Sequence, residues 1–122
     1  MNVRDLFELR NRNRQKLSNA FSFKVNVVKN KANTSLEHSL TKARICYFLE
    51  VLGLHYVTEA VFKNNKRADI YVLDSDKAIE VLNSEKFLNL ELKALDYPCE
   101  IAGVSVDEFD DIDLEFVEKL VN

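Results

Sequence analysis

Two short apolar runs, each interrupted by one carboxylate, constrain this chain more than any other feature. Ala68-Asp69-Ile70-Tyr71-Val72-Leu73 and Ala78-Ile79-Glu80-Val81-Leu82 have the length and composition of strands. A short acidic turn, Asp74-Ser75-Asp76, separates them, so they pair as a hairpin. If that turn centres on Ser75-Asp76, Asp69 falls near the partner of residues 80–82 and becomes a neighbour of Glu80. A carboxylate in an apolar strand is costly to bury unless it is paired or binds a metal. Two adjacent carboxylates repel, and a divalent cation removes that repulsion. All-oxygen ligation suits Mg²⁺ or Mn²⁺. Glu37, near the start of a long helix, could supply a third oxygen. Each acid also has an ordinary use: Asp69 could pair with Arg67 or Lys66, Glu80 could face solvent, and Glu37 could serve only as a capping acid.

The rest of the chain supplies partners for this hairpin. Residues 3–17 read as a helix with Val3, Leu6, Phe7 and Leu9 on a partial apolar stripe. Phe21, Phe23, Val25 and Val27 alternate with polar residues, which predicts a half-buried strand over 20–28. Thr34 and Glu37 have capping-box spacing, and a helix follows to about Leu52, with Gly53 as its terminator. Leu36, Leu40, Ala43, Tyr47 and Val51 form its apolar stripe, widened by Phe48 and Leu52. Residues 55–62 predict a strand that turns at Asn64-Asn65-Lys66 into the first apolar run. Ser84 is a suitable N-cap for a helix to about Leu95, before Pro98. A strand over 101–106, an acidic segment over 107–113 and a helix over 114–121 complete the pattern. The order from residue 34 is α-β-β-β-α-β, an α/β arrangement with a mixed sheet between helices. Residues 1–33 form a basic extension of helix and strand, and residues 34–122 the core domain.

Composition excludes several classes. At 122 residues, 47% hydrophobic and 30% charged, the chain has the size and balance of one globular domain. No apolar run reaches the roughly 18 residues of a membrane span, and residues 1–16 lack the apolar block of a secretory signal. The expectation is a cytoplasmic protein with no membrane partner. Cys46 and Cys99 have no metal-type spacing and read as reduced thiols in apolar surroundings. The net charge of -3 conceals an asymmetry. Residues 1–31 hold Arg4, Arg10, Arg12, Arg14, Lys16, Lys24, Lys29 and Lys31 against Asp5 and Glu8, a net +6. A basic arm before an acidic body is one way to meet a polyanion, and equally a solvated helix face. No phosphate-cradling Gly-rich motif is present, so nucleotide triphosphates are not expected as ligands.

The stretch Glu37 to Val106 resembles the PD-(D/E)XK, or restriction-endonuclease-like, nuclease superfamily. The matching elements are Glu37-His38 on the first helix, Phe62-Lys63-Asn64-Asn65-Lys66-Arg67-Ala68-Asp69-Ile70, Ala78-Ile79-Glu80-Val81, and Ser84-Glu85 opening a helix. The resemblance implies that Asp69 and Glu80 bind the metal, that Glu37 assists, and that the Val81 carbonyl is a backbone ligand. It also places a lysine two residues after the glutamate, where this chain has Leu82. That lysine would steady the attacking water and the transition-state charge. Lys93 is the first candidate to replace it and Lys42 the second. Glu91-Leu92-Lys93 spells the glutamate-x-lysine pattern itself, but in a stretch that reads as helix.

Glu85 could reach the metal through a water, or simply favour the first turn of its helix. His38 could accept a proton from water or hold a phosphate. Arg44, Lys63, Lys66 and Arg67 could track phosphates, as could Arg10, Arg12, Arg14 and Lys16 of the arm. Tyr47, Tyr56 and Tyr71 read as core or interface. The function expected is metal-dependent hydrolysis of DNA phosphodiesters, RNA being the less favoured substrate, with selection by nucleic-acid structure. A symmetric homodimer would bring two sites to a duplex, with Phe21 to Val28 as a candidate either to extend the sheet or to join the partner. The rival is a non-enzymatic module of the same fold, either a nucleic-acid binder or an inhibitor whose acidic tail mimics DNA.

Overall fold

A computed structural model describes residues 1–18, 22–83 and 87–122. Among the described residues the α-helices and strands follow in the order α1 (Val3–Arg14), α2 (Leu36–Val51), β1 (Tyr56–Val61), β2 (Arg67–Val72), β3 (Lys77–Leu82), α3 (Phe87–Ala94), β4 (Glu100–Ser105) and α4 (Leu114–Val121), with a 3-10 helix over Val106–Asp111 between the last two. The four strands form one sheet in sequence order, β1-β2-β3 antiparallel and β3-β4 parallel. The parallel step requires a crossover, which contains α3. This is the mixed sheet between helices that the pattern predicts from residue 34. Ser84, the expected cap of the crossover helix, lies outside the described residues.

Each face of the sheet is covered. On one, Ile45, Cys46 and Leu49 of α2 and Val117 and Val121 of α4 pack on Tyr56, Ile70, Val72, Ile79, Val81 and Val104. On the other, Leu17, Phe23 and Val25 from the N-terminal segment, with Tyr97, Cys99 and Ile101, meet Val57, Phe62, Ala68, Tyr71 and Leu73. Phe62 anchors this layer by edge-to-face contacts with Tyr71 and Tyr97.

Three expectations need correction. Residues 22–28 are not a strand, and Phe21 lies outside the described residues. The segment does run beside β1, but Asn26 adopts a left-handed φ of 59°. Its amide donates to the Tyr56 carbonyl, its side-chain oxygen accepts from the Tyr56 amide, and Thr58 Oγ1 donates to the Val27 carbonyl. Side chains therefore replace the ladder bonds, and the β1 edge is capped rather than extended. That removes the structural basis for Phe21 to Val28 as a strand that joins a second copy. The cap of α2 is Ser35, whose Oγ accepts from the His38 amide at 3.1 Å; Thr34 instead donates to the Lys31 carbonyl at 2.7 Å. Third, α2 buries Thr41, Lys42, Ile45, Cys46 and Leu49, while Leu36, Leu40, Tyr47 and Val51 are exposed. Gly53 does terminate the helix, at φ +73°.

Candidate functional site

The β2–β3 register carries the two acids together. Ile70 pairs with Ile79, so the next position sets Asp69 against Glu80. Both are buried, at 7% and 8% exposure. Two carboxyls this close and this buried disfavour a double negative charge, so each bears on the other's titration.

The neighbours of the two acids differ, and the difference divides their charge. Burial pushes the Asp69 carboxyl up, but His38, the Val81 amide and Glu80 outweigh it and hold Asp69 below its ordinary value. The Val81 amide donates to Asp69 Oδ2 at 2.8 Å, and His38 Nε2 lies 3.5 Å from the same oxygen. Glu80 is pushed up to about 7 by burial first and by the Asp69 charge second, with Lys93 and Tyr97 opposing. The Tyr97 hydroxyl lies 3.1 Å from Glu80 Oε1 and also donates to the Arg67 carbonyl.

The pair opens into a cleft of about 280 Å³ lined by cations: Lys31, Lys66, Arg67 and Lys93, with Asn65 and Tyr97 completing the walls. Lys93, the expected substitute for the lysine absent at position 82, thus reaches the cleft from α3. Lys42 does not serve there. It is fully buried, with Nζ 2.7 Å from Glu59 Oε1 and a second bond to the Lys29 carbonyl. Glu91 is exposed on α3 and does not line the cleft.

The remaining expectations divide. Glu37 is exposed one residue from His38, and His38 is the residue of this helix that meets Asp69. Glu37 therefore does not join the pair. What Val81 contributes to the pair is its amide, as the donor to Asp69. Glu85 lies outside the described residues. Lys66 and Arg67 line the cleft, but Arg44 donates to the Ile112 carbonyl at 2.7 Å and stacks 4.8 Å from the Phe109 ring centroid. Much of the basic arm is spent inside the molecule. Arg10 pairs with Asp74 at 2.8 Å, Lys16 with Asp76 at 2.6 Å, and Arg14 donates to the Phe23 carbonyl. The first two fasten α1 and the residues just after it to the β2–β3 turn. Arg12 remains exposed.

Lys31, Tyr97 and Glu59 have no site role in the sequence reading, where Lys31 enters only through the charge of the arm. Tyr97 lies beyond the crossover helix, where only the folded chain brings it to Glu80. Glu59 stands opposite Asp69 in the β1–β2 register, between the pairs Thr58↔Ile70 and Ala60↔Ala68. The row Glu59, Asp69, Glu80 thus crosses three strands. Glu59 has φ 50°, a left-handed backbone rare outside Gly, Asn and Asp, and its carboxylate turns to Lys42 and Lys31. Its signal in sequence is one acid in an apolar segment, the same signal that marks Asp69 and Glu80.

Among the described residues, no cluster of three or more His, Cys, Asp or Glu is arranged to hold a metal ion. The Asp69–Glu80 pair nonetheless fits a hard divalent cation, because two buried neighbouring carboxylates repel and a cation between them supplies the counter-charge. His38 Nδ1 is buried beside the pair with no hydrogen-bond partner among the described residues.

No family model, curated protein or solved structure matches this chain.

Proposed function

We propose that this chain is a metal-dependent nuclease of restriction-endonuclease-like topology that hydrolyses DNA phosphodiester bonds. The observation that carries the reading is the buried placement of Asp69 and Glu80 on neighbouring strands, at a cleft whose walls hold Lys31, Lys66, Arg67 and Lys93. Paired acids alone fit a cation, and basic walls alone fit a polyanion. Their combination fits a phosphodiester brought to a cation.

Asp69 and Glu80 would hold Mg²⁺ or Mn²⁺, which when bound acidifies a water and screens the phosphate. The chain's own residues have separate tasks. The Val81 amide and His38 fix the direction of Asp69. Tyr97 ties Glu80 to the first residue of β2. Lys93 places positive charge where the pentavalent phosphorus develops negative charge. Lys66 and Arg67 hold the backbone of the strand.

Leu82 favours a second reading, a binding module without catalysis, because it is an apolar residue 6% exposed where the superfamily pattern has lysine. One experiment separates the two. Labelled single strand, duplex, flap and four-way-junction DNAs are incubated with Mg²⁺, Mn²⁺ or EDTA, using wild type and Asp69→Asn. Cleavage that needs the ion and disappears in the variant supports the nuclease. Binding without cleavage in every lane supports the module.

A further inference from the structure

We propose that the cavity between α1 and the β1–β2 turn is a second subsite, which takes the neighbouring nucleotide of a single DNA strand whose phosphate lies at Asp69 and Glu80. This inference rests on the nuclease reading for its occupant and on three independent observations for its place.

First, the cavity is built beside the cleft. It has a volume of about 380 Å³ and is lined by Arg12, Gln15, Lys16, Lys63, Asn64 and Pro98. The cleft has Asn65 and Tyr97 in its walls. Asn64 and Asn65 are consecutive, and so are Tyr97 and Pro98. The two hollows therefore share a ridge, and Asn64 Nδ2 ties its two sides together by donating to the Asp96 carbonyl at 2.7 Å. A strand leaving one hollow over that ridge enters the other.

Second, the charges of the arm are sorted. Arg4 pairs with Glu8, Arg10 with Asp74 and Lys16 with Asp76, while Arg14 donates to Phe23. Arg12 and Lys63 are exposed, line this cavity, and have no side-chain hydrogen bond or ion pair among the described residues. Two unspent cations at one hollow suit a phosphate on either side of a nucleoside.

Third, the hollow has the character of a nucleoside site. Its lining is mainly aliphatic, from Pro98 and the stems of the long side chains. Gln15 and Asn64 add donors and acceptors at its edge. The volume sits at the small end of ligand pockets, about 300–1,000 Å³. That suits a sugar and base and is too small for a folded partner.

The test is fluorescence anisotropy of a labelled dodecathymidylate in EDTA, titrated with salt, alongside cleavage of the same DNA with Mn²⁺. Arg12→Ala/Lys63→Ala is compared with Lys24→Ala/Lys119→Ala, which removes the same charge from exposed positions elsewhere; melting by circular dichroism verifies that both fold. The expected result is an affinity loss of roughly ten-fold for the first variant and little for the second. The salt slope of the first should fall by about 1.4, the value for two phosphate contacts on a single strand. Equal losses in both variants, or none in either, overturn the subsite whatever the cleavage shows. A selective loss with no cleavage by wild type keeps the subsite as a DNA site and removes the nuclease reading. No binding of wild type to this DNA overturns both.

Discussion

Asp69 and Glu80 face each other across β2 and β3, but among the described residues only Asp69 receives a backbone amide, from Val81 at 2.8 Å. That donor, with His38, holds Asp69 below its ordinary value, while burial and the Asp69 charge push Glu80 up to about 7. A carboxyl raised above its ordinary 4.5 binds more protons folded than unfolded between those two values. Its stabilising contribution is therefore full below about 4.5 and lost as pH rises through about 7. The lowered Asp69 acts in the opposite sense, losing stability only as pH falls below its ordinary 3.8. In EDTA, the loss between pH 5 and 7.5 is on the order of 3 kcal/mol, or about 10 °C in Tm. Glu80→Gln should flatten that slope, and millimolar Mn²⁺ should raise Tm at pH 7.5 in wild type but not in Glu80→Gln. A slope unchanged by Glu80→Gln would assign the proton elsewhere.

Tyr97 has one hydroxyl proton for two acceptors, the Arg67 carbonyl and the Glu80 carboxylate. Its bond to Glu80 lowers the affinity of that carboxyl for a proton. Tyr97→Phe should therefore move the Glu80 midpoint upward, read by ¹³C NMR of the labelled side chain. Cleavage should fall more at pH 6 than at pH 8, because more of Glu80 is protonated at the lower pH. A midpoint that stays in place would reduce Tyr97 to packing on Phe62.

Lys93 and Lys42 were both eligible to replace the missing lysine, and they should fail in different ways. Lys93 is exposed on α3 and reaches the cleft. Lys93→Ala should leave stability within about 0.5 kcal/mol and lower kcat roughly 10²–10³-fold, the cost of one transition-state donor. Lys42 is buried against Glu59, so Lys42→Met leaves a carboxylate without its closest partner and should cost about 3–5 kcal/mol. Adding Glu59→Gln should recover part of that loss. Urea unfolding and single-turnover cleavage together read both results.

Lys42 also shows why the sheet was legible in sequence and the helix orientation was not. The hairpin follows from two apolar runs and an acidic turn, although the turn centres on Asp74-Ser75 rather than on Ser75-Asp76, which sets Asp69 directly against Glu80. In α2, apolar residues occupy two opposite sides. The side that packs contains Thr41 and Lys42, whose polar atoms are satisfied by the Glu37 carbonyl and by Glu59 and Lys29. Hydropathy counts those residues against burial, so the cleaner stripe, Leu36 to Val51, reads as core and is instead exposed. The same limit hid the fate of the arm: its charges are visible in sequence, but their pairing with Asp74 and Asp76 is long-range. Asp69 and Glu80 were legible because an acid in an apolar strand is anomalous locally. Tyr97 was not, because a tyrosine before a proline is ordinary until the fold brings it to a carboxylate.

The arm offers a direct separation of structural from functional charge. Arg10 Nε and Nη2 both donate to Asp74 Oδ2, at 3.1 and 2.8 Å, and Nη2 also reaches the Gly53 carbonyl at 3.1 Å. Asp74 in turn accepts the His55 amide through Oδ1 at 2.7 Å, so Arg10 and Asp74 together join α1 to the end of α2 and to the residue before β1. Hydrogen bonds to charged groups contribute about 1.5–3 kcal/mol. Arg10→Ala should thus destabilise by about 2 kcal/mol and speed amide exchange through α1. Arg12, two residues on and on no such partner, should show the reverse: Arg12→Ala changes stability by less than about 0.5 kcal/mol and weakens DNA binding. Hydrogen exchange and anisotropy on the two variants read both effects. Equal DNA losses with no change in exchange would return Arg10 to the polyanion-binding role that its position in a basic arm first suggests.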